Sequence, residues 1–219
     1  MSTVASRRGE PLQNRVTPFG AIVADRARGA VMGNRGGRLH DPETQTLGRR
    51  RWASKRWIYC GLNFKGRRRT VMGAGYTELF FADIWTALAA GHRPCFECRR
   101  DEARAFAAAF GRATGAPRRA DAIDARLHCE RRHRERMHRE RLEREQPDAR
   151  RATALVGDLP DGAMVARDAA AFLCERGRLR RWRSSGYDAP ETPPSFAVEV
   201  LTPPSVVAVL RAGWRPGAP

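Results

Sequence analysis

Three cysteines have the types and spacing to do chemistry together: Cys60, and the pair Cys95 and Cys98, which two residues separate. A Cys-x2-Cys spacing lets two thiolates grip one zinc ion from a tight backbone knuckle. The same spacing also serves thiol redox chemistry, which wants the pair at the start of a helix after a buried strand. Here a predicted helix and then Gly91-His92-Arg93-Pro94 precede the pair, so the sequence favours the knuckle. No apolar stretch follows Arg7 and Arg8, which run into Gly9-Glu10-Pro11, and a secretory signal is not expected. In that setting a disulfide framework is disfavoured and a metal site gains weight. A metal-free cluster of buried thiols is the alternative. Cys129 and Cys174 read as ordinary small residues. His128, His133 and His138 recur every five residues, a step that turns a helix by about 140°, so they cannot cage one ion.

The elements that must position these thiols are short. Trp57 to Phe64 reads as a strand with Ile58, Cys60, Leu62 and Phe64 on one face. A turn at Lys65-Gly66-Arg67 and a returning strand from Thr70 are expected to follow, then a break at Gly73-Ala74-Gly75. Asp83 to Ala90 predicts a helix stopped by Gly91, and Asp101 to Arg112 a second, with Phe106 and Phe110 on one face. Ala120 to Glu145 predicts one long, solvated, projecting helix with a thin apolar stripe and pairs such as Glu130–Arg134. Beyond Pro147 come an expected strand at Ala163–Val165, a hairpin about Gly177, a strand at 196–201 and a helix capped by Ser205. The expected fold class is therefore α+β: a small zinc-containing β-ribbon/helix domain, a long basic helix and a small α+β C-terminal domain. Its boundaries are a flexible N-terminal segment over 1–34, the zinc-binding basic domain over 35–116, the helix over 117–147, and the last domain over 148–219.

Trp57-Ile58-Tyr59-Cys60, then Phe80-Phe81, then Ala89-Ala90-Gly91-His92-Arg93-Pro94-Cys95-x-x-Cys98-Arg99 resembles the N-terminal zinc domain of the Ada DNA-repair protein, over about residues 57–100. The resemblance implies a zinc site of four cysteines, one of which accepts a methyl group from a DNA phosphotriester. Cys60, Cys95 and Cys98 match three ligand positions, and Cys60 falls on the acceptor. The fourth position, four residues after Cys60, holds Phe64. His40 or His92 is then the candidate fourth ligand. His92 is three residues from Cys95 but occupies a position that the family fills with a noncoordinating residue, which favours His40. A neutral histidine, or no fourth thiolate, lowers the negative charge that activates a zinc-bound sulfur. Cys60 is accordingly expected to be a structural ligand, its sulfur within about 4 Å of those of Cys95 and Cys98.

The formal net charge is +17, and of 41 basic residues only Lys55 and Lys65 are lysines. Residues 1–119 hold 23 basic and 9 acidic side chains, a net of +14, against +3 for the remainder. A polyanion-binding face belongs in the first half, and arginine suits it because its guanidinium meets phosphate through two hydrogen bonds. Arg49, Arg50, Arg51, Lys55 and Arg56, then Lys65, Arg67, Arg68 and Arg69, are the candidate phosphate contacts, with Trp52 and Trp57 as stacking surfaces. The glycines and arginines of 33–38 form a candidate phosphate loop. No nucleotide-binding or hydrolase signature and no membrane-length apolar run is present. The sequence thus predicts a cytoplasmic, non-enzymatic, zinc-stabilised nucleic-acid-binding protein, DNA before RNA, without a membrane partner. An alkyl acceptor using Cys60, and a structural protein whose 120–145 helix docks a protein partner, are the alternatives.

Overall fold

Glycines and prolines cut the first part of the chain into strands of two to four residues. They are β1 (Gln13–Val16), β2 (Ile22–Ala24), β3 (Val31–Asn34), β4 (Ile58–Cys60), β5 (Leu79–Phe81) and β6 (Arg93–Pro94). The computed structural model describes residues 9–68, 70–144 and 152–217. These six strands join in the order β2-β1-β5-β3-β4-β6, with β1/β5 and β4/β6 parallel. The expected flexible segment over 1–34 is corrected where it is described: residues 13–34 supply half of this sheet. Their strands are too short to show a period, yet Val16, Ile22 and Val31 are all buried in the core. The expected strand from Trp57 to Phe64 stops at Cys60, where the chain turns away and leaves Leu62 48% exposed. No strand forms at 70–72. Gly33 allows β3 and β4 to close up, because a Cβ there would sit 2.3 Å from the Ile58 carbonyl oxygen.

Helix α1 (Ile84–Ala89) starts where the Asp83 carboxylate accepts the Thr86 amide at 2.7 Å. Helix α2 (Arg100–Thr114) buries Phe106 and Phe110 and ends on Gly115, whose φ of +68° is the left-handed region glycine tolerates. Helix α3 (Ala120–Arg144) does not project over its first half. Ile123 and Leu127 enter the core, and Asp124 pairs with Arg93 at 2.8 Å, both buried. The expected Glu130–Arg134 pair is replaced by an i,i+4 pair one turn earlier and by tertiary partners. Glu130 takes Arg126 at 2.9 Å and the Ser205 hydroxyl at 2.7 Å, while the Arg134 guanidinium donates to the Ala89 and Leu201 carbonyls.

The remaining strands are β7 (Thr153–Ala154), β8 (Met164–Arg167), β9 (Ala170–Glu175), β10 (Arg178–Arg183), β11 (Gly186–Glu191) and β12 (Val198–Val200). They form an antiparallel sheet in the order β11-β10-β9-β8-β12-β7. Strand alternation splits its side chains. Val165, Phe172, Cys174 and Leu179 form one cluster, whereas Met164, Ala166, Ala171 and Leu173 pack with Ala89 of α1. The last helix, α4 (Pro204–Arg211), leaves this sheet and returns to the first core. Val206, Val209 and Leu210 join Phe106 and Leu127 there, and Trp214 meets Phe106 edge-on at 5.0 Å. The boundary expected at 147/148 therefore does not divide two independent cores. Pro203 starts the helix; Ser205 lies within it, and its hydroxyl is directed to Glu130 instead of capping. The molecule is a mixed α+β fold, and among the described residues no helix is long and apolar enough to cross a membrane.

Candidate metal centre

Parallel pairing of β4 with β6 brings the thiols together. Ile58 lies opposite Arg93 and Tyr59 opposite Pro94, and the Cys95 amide donates to the Tyr59 carbonyl at 3.0 Å. Cys95 is thereby set beside Cys60. The chain then turns back on itself, the Arg99 amide donating to the Cys95 carbonyl at 3.0 Å, and this knuckle returns Cys98 to the same point. All three sulfurs lie within 4.8 Å of one another. Two sulfurs on one zinc ion, each about 2.3 Å from it, stand about 3.8 Å apart, so the cluster has the dimensions of a metal site.

The local backbone supports thiolate charge. The Glu97 amide donates to the Cys95 sulfur at 3.4 Å, and the Gly61 amide faces Cys98. Hydrogen bonds from Cys60 and Cys98 hold the Cys95 thiol far below its usual range, while the bond to Cys95 drives Cys60 strongly upward. A divalent soft ion would replace those shared protons, and the all-sulfur donor set fits one. Cys60, Cys95 and Cys98 can together hold a metal ion.

Neither histidine completes the set. His40 is buried with both ring nitrogens engaged, Nδ1 with the Thr77 hydroxyl at 2.6 Å and Nε2 with the Gly73 carbonyl at 2.8 Å. It ties the glycine-rich loop to the 73–77 segment and stays out of the thiol cluster. His92 is fully buried between Trp57 and Phe81, with ring centroids 5.0 and 4.7 Å away and no hydrogen bond on either nitrogen. Among the described residues, no histidine or carboxylate joins the three sulfurs.

A cavity of about 560 Å³ opens over the cluster and is lined by all three cysteines. Met32, Ile58, Phe64, Val71 and Phe80 make apolar walls, and the exposed Arg67 and Arg68 also line it. Phe64, at the position four after Cys60, is part of this wall, with the Lys65 and Arg67 cations 5.4 and 5.3 Å from its ring. Of the carboxylates that flank the site in sequence, Glu97 pairs with Arg67 at 2.6 Å. The buried Glu78 accepts the Met72 amide at 2.9 Å, and Asp83 is committed to capping α1. Tyr76 and Asn34 also line the cavity and carry no sequence signal beyond their polarity.

The candidate phosphate contacts are exposed as a group: Arg49, Arg50, Arg51, Lys55, Arg56, Lys65, Arg67 and Arg68. Arg69 lies outside the described residues. Trp57 is corrected. It is 3% exposed, its ring held between the guanidinium groups of Arg35 at 3.9 Å and Arg131 at 4.1 Å, and it offers no face to a base. Trp52 is half-buried and meets His128 edge-on at 4.9 Å. The 33–38 loop does not present glycines to a phosphate either. Arg35 is buried in that stack, and a Cβ at Gly36 would lie 1.8 Å from the Ser54 hydroxyl oxygen. Compared with known proteins, the chain matches no family model, no curated protein and no solved structure.

Proposed function

We propose that this chain is a zinc-stabilised, non-enzymatic nucleic-acid-binding protein. The observation that carries the reading is the coincidence of an all-sulfur cluster with exposed arginines on the same cavity. Zinc is the ion of choice because tetrahedral thiolate sites of this spacing favour it. Cys60, Cys95 and Cys98 hold it, pin β4 to the knuckle before α2, and so fix the segment 61–68 that carries Lys65, Arg67 and Arg68. Those cations, with the exposed run 49–56, meet backbone phosphates, and the ligand class is DNA before RNA. Cys60 serves as a ligand, not as an alkyl acceptor. Its sulfur faces the other two, and the apolar Phe64 stands where a fourth thiolate would have raised its nucleophilicity.

The test is a salt titration of binding to a mixed-sequence duplex. Each phosphate contact contributes about 0.9 to the slope of log K against log salt. Replacing Arg67 and Arg68 with Gln should therefore reduce the slope by up to about two units, with little change in sequence preference. An unchanged slope places the binding face elsewhere, and no salt-dependent binding at all defeats the reading.

A further inference from the structure

A structural zinc site is closed by four protein ligands, whereas a site that works on a ligand keeps one position free. This centre has three donors and no fourth within reach among the described residues. Of the four alternatives three are otherwise engaged and His92 is enclosed. His40 is bonded through both ring nitrogens, His92 is walled in by Trp57 and Phe81, Glu97 is paired with Arg67, and Glu78 accepts the Met72 amide. Phe64 forms a wall of the cavity. The three sulfurs line a space of about 560 Å³, within the range of small-molecule sites.

We infer that the metal's fourth position faces this cavity and takes an exchangeable ligand from outside, a small thiol with an apolar body. The inference rests on the metal reading above. A sulfur donor matches an ion already committed to soft ligands. Met32, Ile58, Val71 and Phe80 supply apolar walls for the body of such a molecule. Three thiolates on a divalent ion leave a net charge of about −1, and a fourth makes it about −2. The exposed Arg67 and Arg68 offset that charge, although Arg67 shares its own with Glu97. On binding, a metal–sulfur bond forms and the thiol's proton passes to solvent.

Cobalt(II) loaded into the full chain reports the coordination directly through its visible absorption. Adding benzyl mercaptan should shift the visible bands saturably while the cobalt content after desalting stays constant. Arg67→Gln with Arg68→Gln should weaken the apparent affinity by about threefold, the size of a surface charge effect. Phe64→Cys, which supplies a fourth thiolate, should keep the cobalt and lose the response to the mercaptan. If cobalt fails to bind through the three cysteines, the metal reading falls and takes this inference with it. If cobalt binds but its spectrum ignores the mercaptan, or the mercaptan strips the metal, the inference alone is overturned.

Discussion

Two clusters stand at either end of the short run Trp57–Cys60, and they solve the same problem in opposite ways. Around Trp57, the cations of Arg35 and Arg131 are buried, and their terminal nitrogens donate to backbone carbonyls of Gly20, Arg51, Gly91 and Lys55. Burial, the leading cause, together with neighbouring arginines, pushes Arg35 down to about 9, so the stack carries its charge under stress but remains internally partnered. Around Cys60, three sulfurs have only one another and two backbone amides, beneath an open cavity. The terminal nitrogens of the two buried cations are met by carbonyls although each Nε is left unpartnered, whereas the thiol trio has the donor set for an ion from outside. The terminal nitrogens of the arginine stack are partnered within the chain, and the thiol cluster can hold a metal ion.

Replacing a residue in each cluster should separate them. The largest effect belongs to Cys95→Ser, which should release the metal. Apparent binding free energies of structural zinc are about 10–16 kcal/mol, so losing even a third of that from folding lowers the melting midpoint by about 10 °C. Equal metal content and equal stability in this variant would erase the distinction. Trp57→Ala should cost about 3–5 kcal/mol in a denaturant titration, as large aromatic deletions do, with metal content unchanged. A variant that instead loses metal while keeping its stability would make the stack part of the site.

The smallest effect concerns His92, which sharpens the contrast through pH. Burial first, then the charges of Arg35, Arg131 and Arg134, hold this imidazole well below its ordinary value, so it is neutral in the folded state. The unfolded chain takes up that proton near pH 6.5, so its contribution is whole above pH 6.5 and is lost as pH falls below. Stability should therefore fall as pH drops below about 6.5, steepening towards a limit of about 1.4 kcal/mol per pH unit. His92→Phe should flatten this slope; an unaltered slope in that variant would show that His92 is already charged when folded.

The site was more legible than its surroundings, for physical reasons. Cysteine pairs at fixed spacing carry geometry in the sequence itself, and the strand at Ile58–Cys60 and the helices at 84–89, 100–114 and 120–144 followed from residue type and glycine stops. A histidine's partners are set only by tertiary structure, so nothing in the sequence separates a metal ligand at His40 from the bridge it makes between Thr77 and Gly73. Trp57 flanks a basic run and looked like a stacking platform, yet its ring is consumed by two arginines, one of them 74 residues away on α3. The burial of Arg131 and the half-burial of Arg134 carry no sequence signal, because charge on a helix normally marks its solvent face.

The return of α4 and Trp214 to the first core bears on how the protein is made. The Phe106 side of that core is completed by residues between 206 and 214. Until residues 206–214 are made, α2 can form but the surface it offers to Val206, Val209 and Trp214 stays uncovered. The half of the molecule that bears the thiols is therefore completed only by these later residues. Early termination within α4 would expose an apolar face on an otherwise finished sheet, the kind of surface that chaperones and proteases act on.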